Sequence, residues 1–415
     1  MTSGVGQDGR VTAIDTHAGE MPAEQPAIDL LDPEFWRSRQ HEAWTWCRAN
    51  DPVHYDEASG FWAVTRHADL LHAERHPEVF SSQGAYRVNE APIESNMIAN
   101  DDPQHLKQRR LVNRGFTPKA VREQSDEFET MIDGLVDPVT PDGRVGVVDA
   151  IAGQLPARFT CNLLGLPESE WRTVKAWSEK LMRIDSMMFD PGAMTGMVEV
   201  TTELMSMVTT KVPEERGCPV SPGLISQWAH AEVDGEPMEV DRIFHEVGLF
   251  VAGGAETTRT AIAHGLRTFC DHPDQWELLH EDPLLIPSAV DEVIRWVTPL
   301  NNMFRKTTEA TTLGGAELSE GARLALVYPS ANRDEAVFDD PFTFDVRRSP
   351  NPHIAFGYGT HFCIGANFAR RELEILFGKL TREWTDLHVV TEIDVEPNIF
   401  ARAVRSFELG FSPRP

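Results

Sequence analysis

The sequence predicts a mainly α-helical fold with small β-sheets. Helical patterns dominate residues 119–212, and the longest single pattern covers 241–270. Strand-like pieces are short by contrast, as at 61–65, which is rich in aromatic and β-branched residues. Helical periodicity therefore occupies most of the chain, and no linker divides it convincingly.

The first elements follow a polar leader. Residues 1–27 lack the basic start and apolar run of a signal peptide. We expect them to be a disordered leader, and 28–415 to form one domain. A helix is expected over 32–50, a strand over 61–65, a loop over 81–100 and a helix over 102–114, with Pro103 near its start, where its missing N–H costs nothing.

The later elements are punctuated by proline and glycine. A helix over 285–296 is expected to stop before Pro299. The elements expected after it are strands at 311–313 and 322–328, an irregular Pro- and Asp-rich stretch at 332–352, and a strong final helix at 365–380.

Composition narrows the class of protein. The chain has 415 residues and a formal net charge of −27, which argues against nucleic acid and anionic membrane surfaces as partners. No apolar run approaches the roughly 20 residues of a membrane span, so we expect a soluble protein. The five cysteines are scattered and form no CxxC pair, which favours a reducing cytoplasm over a disulfide framework.

The segment 356–365, FGYGTHFCIG, is glycine-rich and leads into a helix. A thiolate at Cys363 would lie near the positive end of that helix, where N–H groups stabilise negative sulfur and make it a soft ligand for iron. Taken alone, a single cysteine is more often buried and inert. A zinc site with His361 lacks a second ligand pair of suitable spacing.

Phe356, Gly359, Cys363 and Gly365 match every fixed position of the F-x-x-G-x-x-x-C-x-G signature, so the chain resembles the cytochromes P450. The resemblance extends over about 29–412. It implies a helix-rich lobe, a smaller β-rich lobe and haem b between them. It also implies that Cys363 is the axial iron ligand and that Phe356 and Gly365 contact the haem.

A second match is Glu292-Val293-Ile294-Arg295. Side chains three residues apart share a helix face and can pair, which on its own indicates a solvated surface pair. The resemblance implies instead a buried structural network with Arg348, or with Arg347 if the register slips by one.

A third match is AGGAET at 252–257, at the end of an uncharged run. An acid in an apolar helix is costly without a purpose, although a kink with a solvated Glu256 is equally consistent with the pattern. The resemblance implies that Thr257 hydrogen-bonds dioxygen and that Glu256 relays protons. Many relatives have Asp where this chain has Glu256.

A fourth match is His105-x-x-x-Arg109, whose side chains share one face of a helix. Alone it indicates a basic surface helix. The resemblance implies that both bind the haem propionates, together with Arg305 and His361.

The substrate pocket is the least defined part of the prediction. Its expected walls are 81–100, the methionine-rich segment 181–210, part of the central helix and 297–304, which suit a bulky apolar ligand. The candidate wall residues are Met97, Met187, Met188, Phe250, Val251, Ala255, Leu300 and Met303.

Within the family, the stretches 97–118, 252–265 and 330–353 look most like actinobacterial enzymes that hydroxylate the side chain of cholesterol and cholestenone. Terpenoid or polyketide hydroxylation is the alternative. A peroxide-driven haem enzyme and a haem-binding sensor are less favoured, the former because Glu256 and Thr257 are both present.

No electron-transfer domain is fused to the chain, so we expect a ferredoxin and its reductase as partners of a monomeric enzyme. A set of basic residues marks the expected ferredoxin surface: Lys107, Arg110, Arg114, Arg370 and Arg371.

Overall fold

The computed structural model describes residues 24–90, 94–188 and 190–414. The predicted leader, 1–27, therefore lies outside the described residues except for 24–27, which are irregular. The side chain of Met188, a predicted wall residue, also lies outside them. Within the described ranges, no helix combines the length and the apolar character that a membrane span requires.

Helices form most of the described chain, which confirms the predicted fold class. In chain order the α-helices are α1 Gln40–Asn50, α2 His67–Arg75, α3 Gln104–Val112, α4 Pro118–Arg122, α5 Ser125–Val136, α6 Leu155–Leu164, α7 Trp171–Leu181, α8 Pro191–Arg216, α9 Leu224–Ala229, α10 Val240–Asp271, α11 Pro273–Glu281, α12 Ile286–Val297, α13 Tyr328–Ala331 and α14 Ala366–Glu383.

The strands are short apart from one hairpin. They are β1 Val53–Asp56, β2 Phe61–Val64, β3 Phe80–Ser81, β4 Arg144–Gly146, β5 Glu232–Val233, β6 Glu236–Pro237, β7 Asn302–Thr307, β8 Thr311–Leu313, β9 Ala316–Leu318, β10 Arg323–Val327, β11 Trp384–Val395 and β12 Val404–Pro413.

The strands form small, separate sheets. One has the order β1-β2-β10-β7-β3, in which only the β2–β10 pair is parallel. Another joins β11, β12 and β4, and two-stranded ladders pair β5 with β6 and β8 with β9. The sequence patterns missed β7 and the β11–β12 hairpin, whose bulges break the alternation that identifies a strand.

The helix α10 is the axis of the helical part. Its 32 residues extend about 48 Å at 1.5 Å per residue, and it packs against α6, α7, α8 and α12. Its C-terminal half is almost wholly buried, and there Phe269 packs edge-on against Phe377 of α14. Helices α10 and α14 are thereby held together in one core, with a cavity beside them.

Candidate functional site

A cavity of about 740 Å³ lies beside α10. The loop before α14 forms one wall and includes Cys363, while residues within 86–87, 94–98, 181–184, 197–204 and 299–305 form others. Most of the lining is apolar, which suits a bulky hydrophobic ligand.

The cysteine loop, residues 356–365, is held by local backbone contacts. The N–H of Cys363 donates to the carbonyl of Phe356 at 2.9 Å, and a short 3₁₀ turn over Gly359–His361 lies between them. Gly359 has φ +68°, and a Cβ there would lie 2.4 Å from the carbonyl oxygen of Glu74. Only glycine fits this position, because both the dihedral angle and the neighbouring backbone exclude a side chain.

The sulfur of Cys363 faces into the cavity, so the residue is accessible from within although protein surrounds it. Burial raises the pKa of the Cys363 thiol, while hydrogen bonds from the N–H groups of Gly365 and Ala366 and the charge of Arg109 oppose that rise. The helix α14 begins at Ala366. Sulfur thus lies at a helix N-terminus, as predicted, where a thiolate is stabilised as a metal ligand.

Two histidines beside the cysteine loop have unpaired nitrogens. The rings of His105 and His361 lie 4.3 Å apart, and both line the cavity. His105 Nδ1 pairs with Asp102 at 3.0 Å, whereas Nε2 of each histidine is buried without a hydrogen-bond partner among the described residues. Burial lowers the pKa of both rings. Each Nε2 atom can therefore form a hydrogen bond with a polar group of a ligand in the cavity.

Arg109 and Arg305 complete this side of the cavity. Arg109 donates to the carbonyls of Thr360 and Phe362, at 3.3 and 2.6 Å, which ties α3 to the cysteine loop. Arg305 lies 3.6 Å from the buried carboxyl of Glu74. Guanidinium groups and imidazoles at one edge of a cavity suit the carboxylates of a ligand.

Thr257 and Glu256 face different partners. The Thr257 hydroxyl lines the cavity and donates to the carbonyl of Gly253 at 2.8 Å. The buried Glu256 carboxyl turns instead toward Arg259, at 2.6 Å, and Arg259 also contacts Glu179. Burial raises the pKa of Glu256 to about 7, against the opposing charge of Arg259. The carboxyl can therefore gain and lose a proton near neutral pH.

The structure brings Glu292, Arg295 and Arg348 together away from solvent. Both side chains of the Glu292–Arg295 pair are fully buried, with Nε–Oε2 at 2.7 Å, and Arg348 Nε lies 3.2 Å from Glu292. Among the described residues, the contact of Arg347 is a hydrogen bond from its backbone N–H to Asp345. The arginines also donate to backbone carbonyls between 332 and 343, so the group fastens the segment that leads to the cysteine loop.

The predicted wall residues divide between cavity and core. Those that line the cavity are Met97, Phe250, Leu300 and Met303. Val251 and Ala255 pack instead in the hydrophobic core, because they lie on the other side of α10. Met187 is half-buried in the short helical turn Ile184–Met188 and is not a lining residue.

Other lining residues were missed from the sequence. They include Glu74, His245, Glu372 and Phe400, whereas Leu181 and Met197 belong to the predicted wall segment 181–210. A buried acid such as Glu372 could have been noticed, because it interrupts an apolar helix face, and burial raises its pKa to about 8. The zinc interpretation of His361 gains no support, since the described residues contain no group of metal ligands of the required kind.

These groups fit haem b. Sulfur is a soft ligand for iron, and the orphaned Nε2 atoms of His105 and His361 suit the porphyrin carboxylates. Cys363 would hold the iron, while Arg109 and Arg305 would share the carboxylates with the two histidines. The class of protein that such a site defines is a haem-thiolate oxygenase with an apolar substrate cavity.

Comparison with known proteins agrees with this class. The family model described as Cytochrome P450 matches residues 223–398. A steroid C26-monooxygenase of Mycobacterium tuberculosis is 35% identical over 396 residues, covering 94% of this chain and 99% of that protein. A methyl-branched lipid omega-hydroxylase of Mycobacterium bovis is 34% identical over 432 residues, covering 97% and 98% respectively.

A solved structure is also similar over the same length. A cytochrome P450 of Mycobacterium marinum in complex with pseudoionone has a TM-score of 0.86 and 31% identity, covering 94% of this chain and all of that one. The chain therefore belongs to the cytochrome P450 family. It is a P450 monooxygenase with haem b as its cofactor, and it uses dioxygen, redox partners and a hydrophobic substrate.

Proposed function

We propose that the enzyme hydroxylates the side chain of a steroid or sterol. The observation that carries the proposal is the long apolar cavity along α10, which includes both Cys363 and Thr257 in its lining. Relatives of about 35% identity over nearly the whole chain, named steroid C26-monooxygenases, support the same substrate class.

The roles of the site residues follow from their contacts. Haem b, when bound, would supply the oxygen chemistry: with two electrons from the redox partners and two protons, one atom of dioxygen would enter a C–H bond of the substrate and the other would leave as water. Cys363 ligates the iron, and its sulfur is held by N–H groups at the start of α14. His105, Arg109, Arg305 and His361 bind the propionates. Phe356 and Gly365 line the cofactor side of the cavity.

Proton delivery is assigned to Glu256 and Thr257. The Thr257 hydroxyl can donate to and accept from a ligand in the cavity, since a hydroxyl has one donor and two acceptor sites. Glu256 adjoins Thr257 in α10, and burial raises the pKa of its carboxyl to about 7. Arg259 holds Glu256 beside the partly exposed Glu179 and fixes the direction of both carboxyl groups, since a guanidinium keeps its protons and does not relay them.

An absorption titration of the ferric holoprotein tests the substrate class. The panel contains cholestenone, cholesterol, smaller steroids, diterpenoids and methyl-branched fatty acids, and binding is read from the shift of the Soret band. Saturable shifts confined to sterols support the proposal. Shifts only with branched lipids favour the activity of the omega-hydroxylase relatives, and shifts only with diterpenoids favour a terpenoid hydroxylase.

We infer a ferredoxin as the electron donor. Arg110 and Arg114 are exposed, Arg110 directly follows the Arg109 that contacts the cysteine loop, and neither has a carboxylate partner among the described residues. Phe362 and Tyr358 of that loop are also exposed, at 39% and 40%. A basic and apolar surface over the cysteine suits an acidic ferredoxin.

Charge reversal tests this surface. The variants R110E and R114E should slow reduction by ferredoxin at low salt, whereas R172E on α7 should not. Lys107, Arg370 and Arg371 are weaker choices, because they already pair with Asp234, Asp291 and Glu374. Equal reduction rates in R110E, R114E and wild type would contradict the proposed surface.

We also propose a monomer in a reducing cytoplasm. Exposed large apolar side chains such as Tyr55, Val220 and Leu284 are scattered over different elements. All five cysteines are free, as expected without an oxidising environment. Sedimentation equilibrium tests the first statement, and fractionation of the host cells tests the second.

A further inference from the structure

Hydrogen-bonding side chains line the cavity near the N-terminal end of α10. His245 lines the cavity there, and its Nδ1 atom lies 3.0 Å from the hydroxyl of Ser95. Asp241, one turn earlier, lies 3.5 Å from the same nitrogen. Because these neighbours occupy Nδ1, Nε2 is the ring atom left to meet a ligand.

His245 and Thr257 lie at a defined separation on one helix. Both line the cavity from α10, and the difference of twelve positions between them corresponds to about 18 Å along the helix axis. This distance is similar to the length of a four-ring sterol with an extended side chain. A polar group at one end of such a molecule can therefore reach His245 while the other end reaches Thr257.

The wall between these two positions leaves room for a rigid body. Gly248 and Gly253 line the cavity, and a Cβ on either would meet no atom within 4 Å. Leu249 and Ala252 add apolar surface to the same wall. The middle of the cavity thus suits a hydrocarbon nucleus and offers no polar group from these four residues.

Ser95 and His245 are held by a buried network. Gln108 donates to the carbonyl of Ser95 at 2.6 Å and to the carboxyl of Glu246 at 2.9 Å. Both Gln108 and Glu246 are almost completely buried, and Glu246 adjoins His245 in α10. The His245 ring is therefore held in place by Ser95 before a ligand binds, which lowers the entropic cost of recognition.

We propose that His245, positioned by Ser95, binds the oxygen atom on the ring end of the sterol and so directs the side chain toward Thr257. The inference rests on the proposed steroid substrate. A ketone accepts a hydrogen bond from Nε2–H, and a hydroxyl can pair with either tautomer. A carboxylate fits less well, because the carboxyl groups of Glu94 and Asp241 line the same end.

The test compares ligands and variants together. Ferric holoprotein is titrated with cholestenone and with its 3-deoxy analogue, and the ratio of the two Kd values is measured for wild type, H245F and H245Q. Wild type should prefer the ketone by roughly three- to tenfold, the contribution of one net hydrogen bond. H245F should bring the ratio near one, and H245Q, which retains a donor, should restore part of it.

Control variants show whether a change in the ratio of Kd values comes from the loss of the His245 ring. The variant H72F changes an exposed histidine on α2 and should keep the wild-type ratio. S95A should reduce the ratio less than H245F does, because it removes only the positioning contact. If wild type binds sterols and H245F keeps the full preference for the ketone, this inference is wrong while the proposed function stands. If wild type binds no sterol, both are wrong.

Discussion

The buried carboxylate of Glu292 offers a quantitative test of how the cysteine loop is held. The variant E292Q keeps the shape of the side chain and removes its charge. Glu292 accepts from Arg295 at 2.7 and 2.8 Å, from the N–H of Asp345 at 3.0 Å, and from Arg348 and Asn351 at 3.2 Å each. The amide would leave two guanidinium groups without their counter-charge.

The expected cost is large because the pair is fully buried. Breaking a buried ion pair by removing one partner costs about 3–5 kcal/mol. Urea unfolding of the holoprotein, followed by tryptophan fluorescence and by the Soret band, measures the change. E277Q is the control, since Glu277 pairs with Arg414 at 2.9 Å at the surface and should contribute less than about 1 kcal/mol. Equal effects of E292Q and E277Q would refute the reasoning.

Three further variants test other parts of the site. T257A removes the hydroxyl that lines the cavity. Product formation should fall by on the order of 10²-fold while peroxide release rises. Full coupling of oxygen consumption to product in T257A would exclude a role of the Thr257 hydroxyl in proton delivery. Burial raises the pKa of Glu246 from 4.5 to about 8, so the folded state keeps a proton that the unfolded chain loses. The free energy of unfolding should therefore fall as pH rises across that interval. Urea unfolding should show a smaller fall in E246Q than in wild type. G359A should destabilise the protein by more than about 1 kcal/mol, whereas G134A, with open space in α5, should not.

Short sequence motifs were the basis of most predictions about the site. The spacing within 356–365 identified a cysteine at a helix start, and the structure has that helix begin at Ala366. Glu292 and Arg295 are three residues apart on one helix, so their pairing follows from helical geometry alone. Arg348 was identified only through the resemblance, because no local rule links residues more than fifty positions apart.

The cavity walls depend on helix orientation, which the sequence does not specify. Phe250 lines the cavity while the next residue, Val251, packs in the core, since each residue turns the helix by about 100°. His245 was not predicted as a site residue, because a single histidine beside an apolar run matches no sequence motif. Only the structure shows that His245 contacts Ser95, which belongs to a distant segment of the chain.

The β11–β12 hairpin was missed for a different reason. The strand β11 follows α14 directly at Trp384, without the glycine or proline that usually marks the end of a helix. Several register shifts then break its alternation of buried and exposed residues. Its pattern is consequently neither clearly helical nor clearly extended.

The most direct test of the account is product analysis with cholestenone. Purified holoenzyme, ferredoxin and reductase are supplied with isotopically labelled dioxygen, and the position of the label is determined by mass spectrometry and NMR. We predict one labelled oxygen atom on a terminal carbon of the side chain, since that end reaches Thr257. A labelled oxygen atom on the ring system would contradict the account. The account would also be contradicted if cholestenone carried no label while a branched fatty acid was hydroxylated.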